Sequence, residues 1–491
     1  MLSQPKTAQS DAFLQQLSRC LPPARVLLDV EEMKPYECDA LSAYKVLPLA
    51  VVLPETIDEV QQVLRLCQQF SIPLVVRGAG TGLSGGALPV AQGILLNMAK
   101  FSKILEIDPE NRIARVQPGV RNLAVSEAAK ANGLFYAPDP SSQIACTIGG
   151  NVAENSGGVH CVKYGLTVHN VLGIKYLNLQ GELLELGSNC LQSPGYDLLA
   201  LFIGSEGLLG VIVEVTLRLL PLPTTTATLL AAFNDIGQAG GAVAAVIAAG
   251  LQPSGLEMMD NPTIQAAEAF VHAGYPTDAA ALILCEFDGM AEQVSEDLAR
   301  AHALLISQGA LEVRQATLES ERQKFWAGRK AAFPAVGRIT PDYYCMDGTI
   351  PRKHLAQVLQ GISRLAADHG LRVANVFHAG DGNLHPLILY DANQGDELQR
   401  AEALGGKILE LCIAVGGTIT GEHGVGTEKI DQMCVQFSTL ELTQFHALKA
   451  VFDPEGLLNP GKAIPTLHRC AEFGGLHVHR GQLPFPDLER F

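Results

Sequence analysis

The sequence predicts an α+β protein with at least two folded domains, and three observations lead to this prediction. First, a chain of 491 residues is too long for a single compact core. Second, from residue 47 the elements follow the order strand, helix, strand and glycine-rich loop, which is an α/β pattern. Third, a run rich in Pro and Thr at 220–228 marks a boundary, beyond which strands alternate with longer Ala-rich helices.

The individual elements are predicted from the spacing of apolar residues and from the turn residues between them. The helix over 57–70 follows from Thr56 as an N-cap and from apolar residues at helical spacing behind it. A hairpin is predicted around Gly181, where two strand patterns meet. Further helices are predicted over 11–20, 237–250, 261–273 and 290–308, and further strands in LPLAVVLP, IPLVVRG, ILLNM and ILEIDPENRIARVQPG.

These patterns divide the chain into four segments. Residues 1–45 form an N-terminal segment, 46–222 a first domain, 223–465 a second α+β domain, and 466–491 a tail rich in His and Pro. We expect the tail either to dock another subunit or to be a loosely packed terminus.

The charge and hydropathy of the chain exclude several classes of protein. The net charge of −16 argues against nucleic-acid binding and against direct binding to anionic lipid. The longest apolar run, at 242–250, is too short to span a membrane, and the N-terminus lacks the pattern of a secretory signal. We therefore expect a cytoplasmic protein, peripheral to the inner face of the cell membrane at most.

The 11 cysteines are scattered singly, without a C-x-x-C pair. This spacing argues against an iron–sulfur cluster and against a structural zinc site in the chain. The odd number favours reduced thiols in a reducing compartment.

The segment RGAGTGLSGG at 77–86 follows a predicted strand and suits a phosphate-bearing ligand. Its glycines allow backbone N–H groups to converge on a pyrophosphate, and Arg77 offers a compensating charge. No G-K-[ST] follows, which excludes a P-loop, and Pro89 with the next strand excludes a dinucleotide-binding G-x-G-x-x-G helix. For this segment alone, a glycine-rich hairpin without a ligand is the alternative.

Two further glycine-rich stretches occur, TIGGNVAENSGG at 147–158 behind PDPSS, and GSEGLLGVI at 204–212. Three such loops beside β-structure resemble the flavin domain of the vanillyl-alcohol-oxidase superfamily, also called the PCMH-type FAD fold, over about 46–222. The resemblance implies two α/β subdomains that bind FAD, followed by a FAD-linked oxidase C-terminal cap domain with an antiparallel sheet. It implies non-covalent FAD, because Thr81 stands where some relatives attach FAD to a His.

The same resemblance implies the residues that would hold FAD, including one in the closing motif FDPEGLLNPGK. They are Arg77, Gly78, Ala79, Gly80, Thr81, Gly82, Leu83, Ser84, Pro138, Thr147, Ile148, Gly149, Gly150, Asn151, Ser156, Gly157, Gly158, Glu206, Gly210, Val211, Ile212 and Asn459.

A second constellation lies in the second domain. The segment NVFHAGDGNLHP is predicted to form two strands around a tight turn, which would bring His378 and His385 across from each other. Further along, Glu422 and His423 occupy a glycine-rich loop. Two imidazoles and a carboxylate leave coordination positions open, as a catalytic divalent site requires. Taken alone, a His pair beside a turn is equally typical of hydrogen-bonded scaffolding.

These segments resemble the flavoprotein D-2-hydroxyacid dehydrogenases, a group with D-lactate-, D-2-hydroxyglutarate- and glycolate-oxidising members. The resemblance implies that His378, His385 and Glu422 hold a divalent metal, zinc or manganese, and that His423 is the catalytic base. It implies that Arg329 clamps the substrate carboxylate, whereas a solvated surface arginine is the alternative from sequence alone. Cys345 stands where the hydroxyglutarate enzymes have a lysine, which favours a smaller substrate.

The function implied is oxidation of glycolate to glyoxylate, with D-lactate as a second substrate, by hydride transfer to FAD and with an acceptor other than oxygen. The resemblance also implies two partners, a second FAD-binding subunit and an iron–sulfur subunit, which relay electrons to the respiratory chain. Two alternatives stay open. The chain could prefer D-lactate or another D-2-hydroxyacid, or it could be a non-catalytic flavin subunit that only relays electrons.

Overall fold

The computed structural model describes residues 8–190 and 195–466. The predicted tail therefore lies outside the described residues, apart from residue 466, and so do residues 1–7 of the N-terminal segment. The helices are α1 (Ala8–Cys20), α2 (Val30–Met33), α3 (Ile57–Gln69), α4 (Asn122–Ala129), α5 (Ile148–Glu154), α6 (Cys161–Tyr164), α7 (Thr167–Asn170), α8 (Leu198–Phe202), α9 (Ile236–Ala248), α10 (Asn261–Val271), α11 (Ala291–Ser307), α12 (Glu319–Lys330), α13 (Ala332–Val336), α14 (Leu355–Asp368), α15 (Glu397–Ala414), α16 (Ile430–Gln436) and α17 (Thr439–Phe452).

The strands form three larger sheets and one short ribbon. They are β1 (Val26–Leu27), β2 (Ala50–Val52), β3 (Leu74–Arg77), β4 (Ile94–Asn97), β5 (Ile104–Asp108), β6 (Ile113–Val116), β7 (Leu134–Phe135), β8 (Val171–Leu177), β9 (Leu183–Gly187), β10 (Val211–Arg218), β11 (Leu220–Pro221), β12 (Thr225–Phe233), β13 (Gly255–Asp260), β14 (Ala281–Gly289), β15 (Glu312–Gln315), β16 (Asp342–Cys345), β17 (Arg372–Phe377) and β18 (Pro386–Tyr390).

The first part of the chain contains two sheets. One has the order β1-β2-β4-β3 and is parallel between β2, β4 and β3. The other has the order β5-β6-β10-β8-β9 and is antiparallel throughout. The predicted helix over 57–70 is confirmed as α3, where Thr56 and Glu59 form a reciprocal capping box and the apolar face is buried against the first sheet.

The second part forms one antiparallel sheet of seven strands, in the order β15-β12-β14-β13-β17-β18-β16. The predicted α+β class is therefore confirmed, and so are the helices α9, α10 and α11, with ends that shift by one or two residues. The boundaries predicted at 45/46, 222/223 and 465/466 stay predictions. In the described part of the chain, no helix combines the length and the apolar character that a membrane crossing needs.

The end of the described chain returns to the first sheet. Leu74 of β3 donates its N–H to the Leu457 carbonyl at 2.9 Å and accepts the N–H of Asn459 at 2.8 Å. The predicted closing motif thus adds a short parallel bridge beside the strand that leads into the first glycine-rich segment. This contact fixes the C-terminal part of the cap domain on the first domain.

Polar side chains also join the two parts. His160 lies between Asp139, 2.7 Å from its Nδ1, and Glu286 of the cap sheet, 3.3 Å from its Nε2. Burial alone would lower the pKa of His160, but the two carboxylates raise it from 6.5 to about 10. Burial would raise the pKa of Glu286, but His160 outweighs it and, with Thr228 and Arg322, lowers that pKa to about 2. A charged histidine therefore links the domains.

We expect His160→Gln to destabilise the protein in a pH-dependent manner. Because the folded-state pKa is raised, the contribution of His160 is fully present below about pH 6.5 and is lost as the pH rises through about 10. The free energy of unfolding should decrease by about 2 kcal/mol near pH 6, a value between those of exposed and of fully buried ion pairs. Thermal unfolding at about pH 6 and pH 10 would measure it, with exposed His302→Gln as the control. An equal decrease in melting temperature at both pH values would contradict this account.

Candidate active site

One cavity connects the glycine-rich segments of the first domain to the histidine cluster of the second. Its empty volume, including the part open to solvent, is about 1440 Å³. Because the cavity extends from the glycine-rich segments to the histidine cluster, its lining suits an extended ligand such as a dinucleotide. Phe333, His385, Glu422 and His423 line it from the cap side.

Most residues predicted to hold FAD line this cavity. They are Gly78, Ala79, Gly80, Thr81, Gly82, Leu83, Thr147, Gly149, Gly150, Asn151, Ser156, Glu206, Gly210 and Ile212. The others do not form part of its described wall, namely Arg77, Ser84, Pro138, Ile148, Gly157, Gly158, Val211 and Asn459. A role in binding FAD stays a prediction for every residue of both sets.

The first glycine-rich segment is a tight loop supported from beneath. Arg77 donates to the Cys38 carbonyl at 2.6 Å. A Cβ on Gly80, which has φ +72°, would lie 2.1 Å from the Arg77 guanidinium. A side chain at residue 80 would therefore displace the Arg77 guanidinium and strain the backbone, so this tight loop requires glycine here.

The second glycine-rich segment differs from the predicted loop. Residues 148–154 form helix α5, with Thr147 as its N-cap and Thr147 Oγ1 accepting the Gly150 N–H. The prediction of a loop was wrong because two consecutive glycines favour a turn in a sequence pattern, whereas the Thr147 cap and the buried Ile148 and Val152 stabilise a helix.

Several cavity residues were missed from the sequence. Ser141 and Ser142 follow Pro138 in the PDPSS stretch, and this proximity was a usable signal. The glycine-rich stretches themselves contain five more, namely Gly86, Ala153, Glu154, Ser205 and Gly207. Phe202 and Phe333 carry no motif, since only the folded chain brings them to the cavity. The missed residues are Val76, Gly86, Ala87, Met98, Pro118, Pro140, Ser141, Ser142, Cys146, Ala153, Glu154, Phe202, Ser205, Gly207 and Phe333.

The structure brings the three predicted metal ligands together. His378 directly follows β17 and His385 directly precedes β18, and the pairing of β18 with β17 confirms the predicted strands. Glu422 Oε1 lies 3.0 Å from His385 Nε2 and 3.4 Å from His378 Nε2. One donor atom of each residue lies within 4.8 Å of the other two. Both histidines are about 2% exposed, so the donors converge in a buried place.

The polar groups of this cluster fit a cation. Glu422 Oε2 is buried and makes no hydrogen bond, and the same holds for His378 Nε2. Burial would raise the pKa of Glu422, but His378 and His385 hold it well below its usual range. A carboxylate held ionised between two imidazoles is the donor set that divalent zinc or manganese prefers.

His423 stands beside this cluster on the cavity wall. Its ring stacks on that of His385, with centroids 5.0 Å apart and planes 14° apart. Burial lowers the pKa of His423 to about 4, and His385 and Lys429 act in the same direction. The side chain is therefore a neutral imidazole at neutral pH, with a nitrogen that accepts a proton.

Arg329 lies behind the histidines, at 2% exposure. Its Nε and Nη2 contact Glu257 Oε2 at 2.7 and 2.6 Å. Glu257 Oε1 in turn lies 2.8 Å from His378 Nδ1. The sequence alternative of a solvated arginine is therefore wrong, because a fully buried carboxylate, missed in the sequence, binds the guanidinium and orients His378. Arg329 does not line the described cavity, and its role as a carboxylate clamp stays a prediction.

A second buried carboxylate, Asp347, organises the loop that carries Glu422 and His423. Its oxygens accept the N–H groups of Gly421, Glu422 and His423 at 3.1, 3.2 and 2.9 Å. Three side chains complete its shell: Asn383 Nδ2 at 2.8 Å, Thr420 Oγ1 at 2.6 Å and Lys429 Nζ at 3.0 Å. Burial would raise the pKa of Asp347, but Lys429 keeps it well below its usual range.

The same loop is attached to the first domain. Glu206 accepts the N–H groups of Val425 and Gly426, each at 2.7 Å. The Ser84 carbonyl accepts the Thr427 N–H at 3.0 Å. Two residues predicted to hold FAD thus hold the loop of the histidine cluster.

Comparisons with known proteins agree with this architecture. A model of a FAD binding domain matches residues 48–187, and a model of the C-terminal domain of FAD linked oxidases matches residues 222–463. Among solved structures, the fold is similar to that of p-cresol methylhydroxylase, with a TM-score of 0.80 at 18% identity, over 94% of this chain and 98% of that one.

Curated relatives are similar over nearly the whole chain. Glycolate oxidase subunit GlcD of Escherichia coli is 63% identical over 98% of this chain and 96% of its own length. The Bacillus subtilis subunit of the same name is 40% identical over 87% and 91%. A D-lactate dehydrogenase of Anaerostipes hadrus is 34% identical over 90% and 94%. The chain therefore belongs to the FAD-linked oxidase family, as an FAD-binding oxidoreductase related to these glycolate oxidase subunits and D-lactate dehydrogenases.

Proposed function

We propose that the protein oxidises glycolate to glyoxylate, and D-lactate to pyruvate as a second reaction. The observation that carries the proposal is the single cavity lined both by the glycine-rich segments and by His385, Glu422 and His423. The names of the similar glycolate oxidase subunits and D-lactate dehydrogenases support the substrate class. A subunit that only relays electrons would not need a buried His/Glu cluster beside the flavin cavity.

We propose that FAD binds non-covalently, because Thr81 rather than a histidine lines the cavity in the first glycine-rich segment. When bound, FAD supplies the acceptor for the hydride that leaves the substrate carbon. The residues of the chain position the hydroxyacid next to the cofactor. The glycine-rich segments admit the cofactor, and the cap-domain residues hold the hydroxyacid at its end of the cavity.

We assign His378, His385 and Glu422 to a divalent ion, zinc or manganese. When bound, the ion supplies Lewis acidity that lowers the pKa of a coordinated hydroxyl. The chain then contributes a proton acceptor, His423, on the same wall of the cavity, and a buried positive charge, Arg329. We propose that His423 takes the hydroxyl proton and that Arg329 attracts the substrate carboxylate.

The wall around the histidines favours a small acid. Phe333 lines the cavity with its ring centroid 6.1 Å from that of His385. Cys345 is too short to reach a distal carboxylate as a lysine would. Because one methyl group changes binding by only about 1–3 kcal/mol, we expect overlap between glycolate and D-lactate.

The route of the electrons after flavin reduction rests on similarity to the glycolate oxidase subunits alone. We propose a second FAD-binding subunit and an iron–sulfur subunit as partners. They would lead electrons to the respiratory chain and place the protein on the cytoplasmic side of the cell membrane.

Anaerobic addition of glycolate should bleach the flavin absorbance of the purified chain, and D-lactate should do so as well. We would measure the rate and extent of bleaching with the divalent metal supplied, using a hydroxyl-free acid such as acetate as the control. If flavin is bound and no hydroxyacid bleaches it, the chain is a relay subunit or forms its site only with partners, and the proposal fails.

His423→Ala should retain yellow FAD and lose substrate reduction by at least about 100-fold, since a positioned general base contributes about 10²–10⁴. Stopped-flow reduction of the flavin by glycolate measures this directly. His302→Ala, at an exposed position, should reduce at the wild-type rate. Retained reduction in the His423 variant would remove its assignment as the base.

Asp347→Asn should weaken divalent-metal binding by about 10–100-fold, as loss of an outer-shell partner does. The asparagine side chain has the size of the aspartate, but its NH₂ group is a donor where the N–H groups of the loop need an acceptor. Bound metal after desalting, measured by elemental analysis, is the readout, and FAD content shows whether the fold survives. Asp368→Asn, in α14, is the control. Unchanged metal affinity would show that Asp347 does not position the ligand loop.

A further inference from the structure

Cys345 ends strand β16 beside the candidate metal ligands. It pairs with Leu387 of β18, which places its thiol next to the segment that begins with His385. The side chain is buried, at 3% exposure. The Cys345 Sγ and one ring nitrogen of each of His385 and His423 all lie within 4.8 Å of one another. A thiol and two imidazoles therefore converge on one point.

One nitrogen of each ring, and the thiol, lack strong partners. His385 Nδ1 and His423 Nδ1 are buried and make no hydrogen bond. Cys345 Sγ donates only a long, weak bond to the Met346 carbonyl at 3.5 Å. The two imidazole rings stack on each other, with centroids 5.0 Å apart. Unpartnered nitrogens at such burial are costly unless a ligand satisfies them.

We infer that Cys345, His385 and His423 form a second cation site, which binds a soft, thiophilic divalent ion such as Cd²⁺ or excess Zn²⁺. This site shares His385 with the proposed set of His378, His385 and Glu422. An ion bound to Cys345 therefore disturbs the binding of the ion at the first site. It also engages His423, the proposed base. Occupation of the second site therefore inhibits the oxidation of the hydroxyacid.

The chemistry of the donors separates the two sites. Binding breaks the S–H bond of Cys345, forms a metal–sulfur bond and releases the thiol proton to solvent, with no change of oxidation state. Hard ions such as Mn²⁺ gain little from sulfur and prefer the carboxylate set. The second site is thus closed to hard ions and open to soft ones.

Cadmium binding to the FAD-loaded protein tests the inference, with Cys345→Ser as the main variant. We expect the wild type to bind Cd²⁺ with an ultraviolet cadmium–thiolate absorption. Cys345→Ser should lose that absorption and bind at least about tenfold more weakly, because removing a ligand costs no less than removing its outer-shell support. Glu422→Gln should keep the absorption, since Glu422 belongs to the other set.

Cys285→Ser is the matched control, because Cys285 is also a buried strand cysteine of the same sheet. It should bind Cd²⁺ as the wild type does. FAD content and melting temperature show whether each variant folds, and Cys345→Ala serves if the serine variant does not. Wild-type cadmium affinity and absorption in the folded Cys345 variant would overturn the inference.

The inhibitory part of the inference rests on the proposed function and has its own readout. Cd²⁺ should inhibit flavin bleaching by glycolate in the wild type and at least about tenfold less potently in Cys345→Ser, each compared with its own metal-free rate. Equal potency in both would overturn the inhibitory part. If glycolate bleaches neither protein while cadmium binding depends on Cys345, the proposed function fails and the second cation site stands.

Discussion

The arrangement of the candidate site depends on one buried carboxylate, that of Asp347. It accepts hydrogen bonds from three consecutive N–H groups of the loop that carries Glu422 and His423. It also binds Asn383, which lies in the turn between His378 and His385. Hydrogen bonds to a charged acceptor contribute about 1.5–3 kcal/mol each, and an unsatisfied buried charge is far more costly. The segments that carry the proposed metal ligands are therefore held at a fixed separation by a group that does not line the described cavity.

Glu257 repeats this principle on the other side of the cluster. Its carboxylate contacts both Arg329 and His378, so it balances the buried guanidinium and orients the imidazole in a place without solvent. Lys429 and Asp347, both fully buried, form the corresponding pair beneath the loop. Removing one member of such a pair leaves a buried charge uncompensated, which typically costs about 3–5 kcal/mol. The charges of the cluster are thus set by neighbours rather than by water.

The sequence predicted the parts of this protein that are encoded locally. The glycine-rich segments, the capped helix α3 and the hairpin of His378 and His385 all depend on residues close together in the chain, and all are present. Glu257 and Asp347 were not identified as site residues, although Asp347 follows Cys345 by two positions. Their roles depend on partners 121 and 75 residues away along the chain, and such contacts leave no local pattern. The same reason explains why Arg329 was found but its partner was not.

Long-range contacts also explain the error at residues 148–154. The two glycines there favour a turn locally, whereas burial of Ile148 and Val152 in the core of the first domain stabilises the helix. Tertiary packing outweighed intrinsic propensity, which differs by only about 1 kcal/mol per residue between Gly and Ala.

The contacts of the loop at 424–428 constrain how the sequences of the two domains can diverge in evolution. Glu206 and Ser84 of the first domain hold it, and a side chain on Gly426 would meet the Ser84 carbonyl at 2.1 Å. The position of the histidine cluster therefore depends on the first domain as well as on the cap domain. Exchange of either half with that of a relative would preserve both folds yet misplace the loop, unless the contact residues moved with it. Such halves are expected to diverge together, as one inherited unit.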